Sequence, residues 1–246
     1  MPKNDGLYRW SVNDALELYA VHDWGREYFD INADGNLVVK HKQAGVDVKK
    51  LVDELVGRDI QLPILLRFSN LIESRIRLLN EAFQTAITGY DYGGEYRGVY
   101  PIKVNQARKV VEEITRYGKD YHYGLEAGSK PELLAVMSML DDPDALIICN
   151  GYKDDAYIEA ALLASKLGPT VVIVVEKPAE LDLIKTTSRR LGVEPHIGIR
   201  VRLTSRGAGK WESSAGDRAK FGLTADDALR AVEKLKRWEM VDCLQL

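Results

Sequence analysis

The sequence is poor in the features that mark membrane, secreted and zinc-binding proteins. It has no apolar run long enough to span a bilayer and no secretory apolar segment near Met1. Its two cysteines, Cys149 and Cys243, both lie inside apolar runs, so we expect buried thiols of a cytoplasmic protein rather than a disulfide. The four histidines show no metal-ligand spacing, which gives no support for a structural zinc site.

The chain also lacks a strong excess of charge of either sign. Its formal net charge is −3, which gives no support for a nucleic-acid partner or for a polybasic contact with a membrane. With 246 residues, 46% of them hydrophobic and 29% charged, it has the composition of an ordinary globular protein of one or two domains.

From about residue 95 onward, apolar strand-like runs alternate with stretches of helical spacing. The runs cover residues 98–105, 121–128, 145–151, 170–176, 196–202 and 241–246. A strand and a helix recur about every 24 residues, which favours parallel βα units. Such units build either an open doubly wound sheet or a (β/α)₈ barrel.

The ends of these runs favour the barrel. Most runs stay apolar until a polar residue near the end, namely Lys103 and Asn105, Glu126, Asn150, Glu176, or Arg200 and Arg202. Because side chains alternate along a strand, one face would be apolar against helices and the other polar at its carboxyl end. That arrangement is typical of a barrel with a site at its top. We therefore predict an α/β fold, an incomplete (β/α)₈ TIM-type barrel with about six of eight strands.

A small β-containing N-terminal element is expected to precede the barrel. The run YFDINADGNLVV predicts a hairpin around residues 33–36, and VKKLVDELVGR predicts an amphipathic helix. LPILLRF (62–68) is typical of a buried strand, and residues 71–90 of a long helix. We predict that residues 1–70 contribute to a β domain and that residues 71–246 form the partial barrel.

A glycine-rich segment, residues 204–222, is the longest predicted loop. It contains GAGK, but Trp211 follows Lys210, so the phosphate-loop pattern GxxxxGK[ST] fails. A solvated barrel loop and an active-site lid both fit this segment.

Lys103 is an unusual residue for the end of an apolar run. Burial lowers the pKa of a lysine, and an unprotonated amine is the nucleophile that carbonyl chemistry requires. One interpretation is therefore a lysine that forms a Schiff base. The other is an ion pair with a carboxylate inside the barrel, such as that of Glu126.

Nine ordered blocks of the sequence resemble biosynthetic arginine decarboxylases, which are pyridoxal-phosphate enzymes with an alanine-racemase-like barrel. The blocks are WGREYFDIN, LPILLRF, LNEAF, GVYPIKVNQ, LEAGSKPELL, ALIICNGYKD, IGIRVRL, GKWESSAGDRAKFGL and CLQL. They extend over nearly the whole chain. YPIKVNQ resembles the cofactor-lysine motif, of which ornithine and diaminopimelate decarboxylases have a related form.

The resemblance implies decarboxylation of L-arginine to agmatine and CO₂ in polyamine biosynthesis, with an amino acid as the small-molecule substrate. Lys103 would carry pyridoxal 5′-phosphate as a Schiff base, with Asn105, Glu126 and Arg200 as further cofactor-binding residues. Glu126 and Arg200 resemble an acid–base pair beside the cofactor, although a structural salt bridge fits them equally well. Asn150 fits either a cofactor contact or a cap of the next helix, and the cap is favoured; His122 and His196 are interpreted as structural. Magnesium is implied as a cofactor, without a recognisable ligand set.

The resemblance also implies that several family features follow Leu246. They are a histidine stacked on the cofactor, a glycine-rich phosphate segment, an acid at the ring nitrogen and a further domain. We expect a truncated portion of a longer, homo-oligomeric decarboxylase that alone binds cofactor weakly and turns over little substrate. The alternatives are a related ornithine or diaminopimelate-type decarboxylase and a noncatalytic pyridoxal-phosphate-binding barrel.

Overall fold

The chain divides into two compact units. The computed structural model describes residues 10–41, 44–202 and 221–246. One unit ends at Leu71 and the other is Ile72–Leu246. Nearly all of the predicted loop 204–222 lies outside the described residues, so neither interpretation of it is tested. Within the described ranges, no helix combines the length and apolarity that crossing a bilayer requires.

The first unit contains a three-stranded antiparallel sheet in the order β1–β2–β3. Its strands are β1 (Phe29–Ile31), β2 (Leu37–His41) and β3 (Ala44–Asp47), and its helices include α1 (Val12–Leu18), α2 (Val21–Gly25) and α3 (Val48–Val56). The predicted hairpin is confirmed, since Phe29 pairs with Val39 across β1 and β2. Asn32 Oδ1 accepts the backbone N–H groups of Asp34 and Asn36, which stabilises the turn.

Two further N-terminal predictions are confirmed and one is wrong. The two expected helices form as α3 and as α4 (Ser69–Gly89). LPILLRF is not a strand, and the side chains of Leu62 and Leu65 are exposed. Pro63 accounts for part of this difference, because proline has no backbone N–H to donate to a sheet.

The second unit contains a parallel five-stranded sheet whose strands follow one another in chain order. Its strands are β4 (Val99–Pro101), β5 (Gly124–Ala127), β6 (Leu146–Cys149), β7 (Thr170–Val175) and β8 (His196–Ile199). The helices after them are α5 (Arg108–Gly118), α6 (Lys130–Met139), α7 (Asp155–Ser165), α8 (Pro178–Leu191) and α9 (Ala225–Arg237). A doubly wound sheet reverses its order at a switch point, and this sheet does not. The predicted α/β fold with a partial barrel is confirmed.

The two faces of this sheet carry different side chains, because successive residues of a strand point to opposite sides. On one face, strand residues pack against the helices in the main core, and they include Leu125, Ile147, Ile173 and Ile197. On the other face, a smaller apolar cluster consists of Ile148, Val172 and Val174. The helix-packed face is therefore closed, and the second face is available to line a site.

Of the six predicted strands, five form in the described part of the second unit, the first of them shorter than expected, and the sixth does not form. The first ends at Pro101, which cannot donate to the sheet, and the chain continues as a 3₁₀ turn, Ile102–Val104. In the last run, Val241–Cys243 is a 3₁₀ turn, and Leu244 forms an isolated parallel bridge with Ile197. The expectation of free, buried thiols is confirmed for both cysteines.

Candidate active site

A cavity of about 470 Å³ lies at the carboxyl ends of the parallel strands. Its polar lining residues are Lys103, Glu126, Asn150 and Arg200. Its apolar lining residues include Val99, Pro101, Ile148 and Val174, which belong to the face of the sheet opposite the main core. Ligand sites of α/β proteins are found at this end of parallel sheets. The structure thus brings together three of the four predicted site residues.

Lys103 reaches the cavity from the 3₁₀ turn after β4. Its Nζ lies 3.4 Å from Oε1 of Glu126, and its side chain is 59% exposed. The amine is therefore held beside a carboxylate and remains accessible to a molecule in the cavity. Both interpretations of Lys103 fit this geometry, because an ion pair with Glu126 leaves the amine within reach of a ligand.

Glu126 is a buried carboxylate in β5, with only 6% of its side chain exposed. Oε1 is near Lys103 Nζ, and Oε2 has no hydrogen-bond partner among the described residues. A buried polar oxygen without a donor is energetically costly and rare. Glu126 Oε2 is therefore an acceptor suited to a ligand or water in the cavity.

Arg200 follows β8 and lines the same cavity. Its Nη1 lies 3.2 Å from Oε1 of Glu176, the residue that follows β7. The ion pairs of the described residues do not include one between Arg200 and Glu126. The two residues share the cavity, as expected, but each pairs with a different partner.

The two asparagines behave differently from the sequence interpretation. Asn105 is exposed, and its Oδ1 accepts the backbone N–H of Ala107. It is not among the described lining residues of the cavity. Asn150 lines the cavity, and the cap of α7 is Asp154, whose side chain accepts the N–H of Tyr157. The interpretation of Asn150 as the helix cap is therefore wrong, because the helix begins four residues later than that role requires.

Sequence reasoning assigned no role to the three residues that support Arg200. Glu176, Lys153 and Glu180 are all buried, and each contributes to a connected set of hydrogen bonds and ion pairs. One indication for Glu176 was present in the sequence, because this residue is the polar end of an apolar run. Lys153 and Glu180 had none, because a charged residue early in a loop or helix is usually solvated.

A buried thiol and phenol lie on the core side of the sheet. Burial raises the pKa of the Cys149 thiol to about 12, so the thiol is protonated and not nucleophilic near neutral pH. Burial likewise raises the pKa of Tyr157, whose hydroxyl donates to the backbone oxygen of Ala127 at 2.8 Å. Both groups are therefore structural.

His122 belongs to a polar cluster before β5 and β6, at the amino ends of the strands. Its Nδ1 is 3.0 Å from Asp142 Oδ2 and 4.0 Å from Asp144 Oδ2. These three side chains form the one group of three possible metal ligands within the described ranges. A histidine–aspartate hydrogen bond accounts for the cluster, in line with the structural role predicted for His122.

The chain is similar to known pyridoxal-dependent decarboxylases. Residues 71–244 match the family model described as "Pyridoxal-dependent decarboxylase, pyridoxal binding domain". Biosynthetic arginine decarboxylase of Thermosynechococcus vestitus is 49% identical over 240 residues, which cover 96% of this chain and 38% of the relative. Biosynthetic arginine decarboxylase of Phocaeicola vulgatus is 50% identical over 242 residues, which cover 98% of this chain and 38% of the relative. The resemblance found in the sequence is confirmed, and the chain spans little more than a third of these relatives.

Two solved structures are similar to this one. The crystal structure of biosynthetic arginine decarboxylase from Campylobacter jejuni has a TM-score of 0.81 and 34% identity, over 92% of this chain and 36% of that chain. The crystal structure of diaminopimelate decarboxylase from M. jannaschii has a TM-score of 0.64 and 20% identity, over 85% of this chain and 44% of that chain. The second likeness concerns the fold alone.

Proposed function

Because the chain belongs to the pyridoxal-dependent decarboxylase family, we propose that it carries the cofactor-binding part of an enzyme that converts L-arginine to agmatine and CO₂. The observation that carries the proposal is the position of Lys103, whose amine reaches a cavity shared with Glu126 and Arg200. The similarity to arginine decarboxylases over 96% of this chain supports arginine as the substrate.

The residues of the cavity fit pyridoxal phosphate. Its volume of about 470 Å³ lies within the range of roughly 300–1,000 Å³ found for small-molecule sites. The cavity offers a primary amine, a guanidinium group and a buried carboxylate oxygen without a partner among the described residues. An amine is the group that an aldehyde cofactor requires, and a guanidinium group binds anionic oxygens.

Each cavity residue has a role that follows from its contacts. Lys103 would hold the cofactor through its Nζ, and Glu126 at 3.4 Å would keep a proton close to that nitrogen. Arg200, whose side chain is 47% exposed, would bind an anionic oxygen of the cofactor or substrate. The cofactor, when bound, supplies an electron sink for the pair left when the carboxylate departs as CO₂. Asn105 has the weakest support among the predicted cofactor contacts, because its side chain bonds its own loop.

The test is release of CO₂ by the product of the whole reading frame from arginine, ornithine, lysine and diaminopimelate. We expect turnover with arginine, its loss in Lys103→Ala, and its retention in Lys109→Ala, since Lys109 is an exposed lysine of α5. A preference for ornithine or diaminopimelate would show that the protein is a related decarboxylase with a different substrate. Cofactor binding without turnover of any of the four would favour a noncatalytic protein.

The remaining proposals rest on the resemblance to the family. They are a requirement for magnesium, a homo-oligomeric state, a cytoplasmic location, and a domain arrangement in which residues 1–70 contribute to a β domain and residues 71–246 to the partial barrel. Metal analysis of the purified gene product and its mass in solution test the first two. A monomer, or full activity after chelation, would contradict them.

A further inference from the structure

Four charged side chains form one connected group beside the cavity. They are Lys153, Glu176, Glu180 and Arg200, which come from the loop after β6, the end of β7, the first turn of α8 and the end of β8. Only Arg200 among them lines the cavity. The other three are buried, with side-chain exposures of 0% for Lys153, 0% for Glu176 and 3% for Glu180.

Glu180 joins two segments that are distant in sequence. Its Oε1 accepts the backbone N–H of Lys153 at 2.9 Å, and its Oε2 accepts the backbone N–H of Glu176 at 2.8 Å. Both oxygens of one carboxylate therefore fix the backbone at the carboxyl ends of β6 and β7. Charge-assisted hydrogen bonds of this kind are roughly twice as strong as neutral ones.

Lys153 places its charge inside the same group. Its Nζ donates to the backbone oxygen of Gly151 and lies 3.4 Å from Oε2 of Glu180. Burial lowers the pKa of Lys153, and the neighbouring carboxylates of Glu180 and Glu176 oppose that shift. An ammonium group without access to solvent is retained only where such partners neutralise it.

Glu176 transmits this arrangement to the cavity. Its Oε1 accepts the backbone N–H of Gly151 at 2.7 Å and lies 3.2 Å from Nη1 of Arg200. The group contains two carboxylates and two cations, so its formal charges cancel. Removing the charge of Lys153 would leave two buried carboxylates with Arg200 as the one remaining cation of the four.

We propose that Lys153 and Glu180 are positioning residues, which fix Glu176 and through it hold the guanidinium group of Arg200 at the cavity. Neither residue touches the ligand. The anion that Arg200 receives is an oxygen of the cofactor or of the amino-acid substrate, and to that extent the inference rests on the proposed function.

The test is a double-mutant cycle on the product of the whole reading frame. The variants are Lys153→Met, Arg200→Met and the combination of both, and the measured quantity is the dissociation constant of pyridoxal phosphate at equilibrium. We expect Lys153→Met to weaken binding about tenfold, by analogy with the 10–100-fold losses found when residues that orient metal ligands are removed. In the Arg200→Met background, Lys153→Met should change the dissociation constant by less than about twofold, because Lys153 affects cofactor binding through Arg200 and that guanidinium group is then absent.

A purely structural role for Lys153 predicts a different result. Its effect on the dissociation constant would then be the same with and without Arg200, and that outcome would overturn the proposal. Lys234→Met is the matched control, since it removes another lysine of an ion pair with α8, Lys234–Asp182, whose side chains are partly exposed rather than buried. If Lys153→Met does not fold, Glu180→Gln replaces it in the cycle, because it keeps the side-chain volume and loses one acceptor oxygen.

A second readout needs neither cofactor nor substrate. Arg200 in the cofactor-free protein should react severalfold faster with phenylglyoxal in Lys153→Met than in the parent protein, as followed by mass spectrometry of its peptide. Unchanged reactivity would contradict the proposal. If the effects of the Lys153 and Arg200 substitutions on cofactor binding are coupled but arginine is not turned over, this inference stands and the proposed function is wrong. If arginine is turned over but the two effects are independent, the proposed function stands and this inference is wrong.

Discussion

Substitution of Gly151 by alanine is expected to damage both stability and cofactor binding, because two constraints meet at this residue. Its φ is +76°, in the left-handed region where a residue with a Cβ loses about 1–2 kcal/mol. A Cβ there would also lie 2.4 Å from the backbone oxygen of Gly128, so the backbone has to move. Overpacking of this kind costs about 1–3 kcal/mol, which gives a total of about 2–5 kcal/mol.

Gly192 offers a matched control for the first of these constraints. It lies at the end of α8 with φ +60°, and a Cβ built there has nothing within 4 Å. Gly192→Ala should therefore lower the free energy of unfolding by only about 1–2 kcal/mol. The difference between the two variants measures the steric contact with Gly128.

Guanidinium unfolding followed by circular dichroism gives the two free energies, and equilibrium titration gives the affinity for pyridoxal phosphate. Gly151→Ala should weaken that affinity, because the Gly151 N–H that holds Glu176 would shift, whereas Gly192→Ala should leave it unchanged. Equal losses of stability in the two variants, or unchanged cofactor affinity in Gly151→Ala, would refute this reasoning.

Two other predictions concern the core of the second unit. Because burial raises the pKa of Cys149 to about 12, above its unfolded value of about 8.5, the stability contributed by the protonated thiol is complete below about pH 8.5 and is lost as the pH rises towards 12. Cys149→Ala should reduce this loss of stability at alkaline pH, as measured by urea unfolding. In the native protein, the Cys149 thiol should react with a thiol reagent only on unfolding. Rapid modification of Cys149 in the native protein would contradict its burial. Leu133→Ala should lower the free energy of unfolding by about 2–5 kcal/mol, because Leu133 is 0% exposed. Leu134→Ala, at a residue that is 57% exposed, should lower it by less than about 1 kcal/mol in the same assay. Equal losses would show that the assigned burial is wrong.

The sequence was sufficient to predict the parallel βα units, since apolar runs and helical stretches alternate regularly. Alternation within the runs also predicted the accessible face, on which Lys103, Glu126 and Arg200 now lie. Strand lengths were less accessible to this reasoning. The strand before Lys103 ends early because Pro101 has no N–H to donate, and pattern alone does not show which donor a sheet requires.

The partners within the site could not be predicted from the pattern. Arg200 pairs with Glu176, which is its neighbour across adjacent strands, whereas the family resemblance pointed to Glu126. Pairing depends on strand register, and register is not encoded in the spacing of polar residues along one strand. Lys153 was missed for a related reason, because its burial depends on a carboxylate 27 residues away.

The most direct test of the central claim is covalent capture of pyridoxal phosphate by Lys103. The product of the whole reading frame is incubated with the cofactor and reduced with borohydride, and its peptides are mapped by mass spectrometry. The account predicts that the label is concentrated on Lys103 and that Lys103→Ala removes it, while the exposed Lys109 remains essentially unlabelled. Label spread over exposed lysines, with none enriched at Lys103, would contradict it.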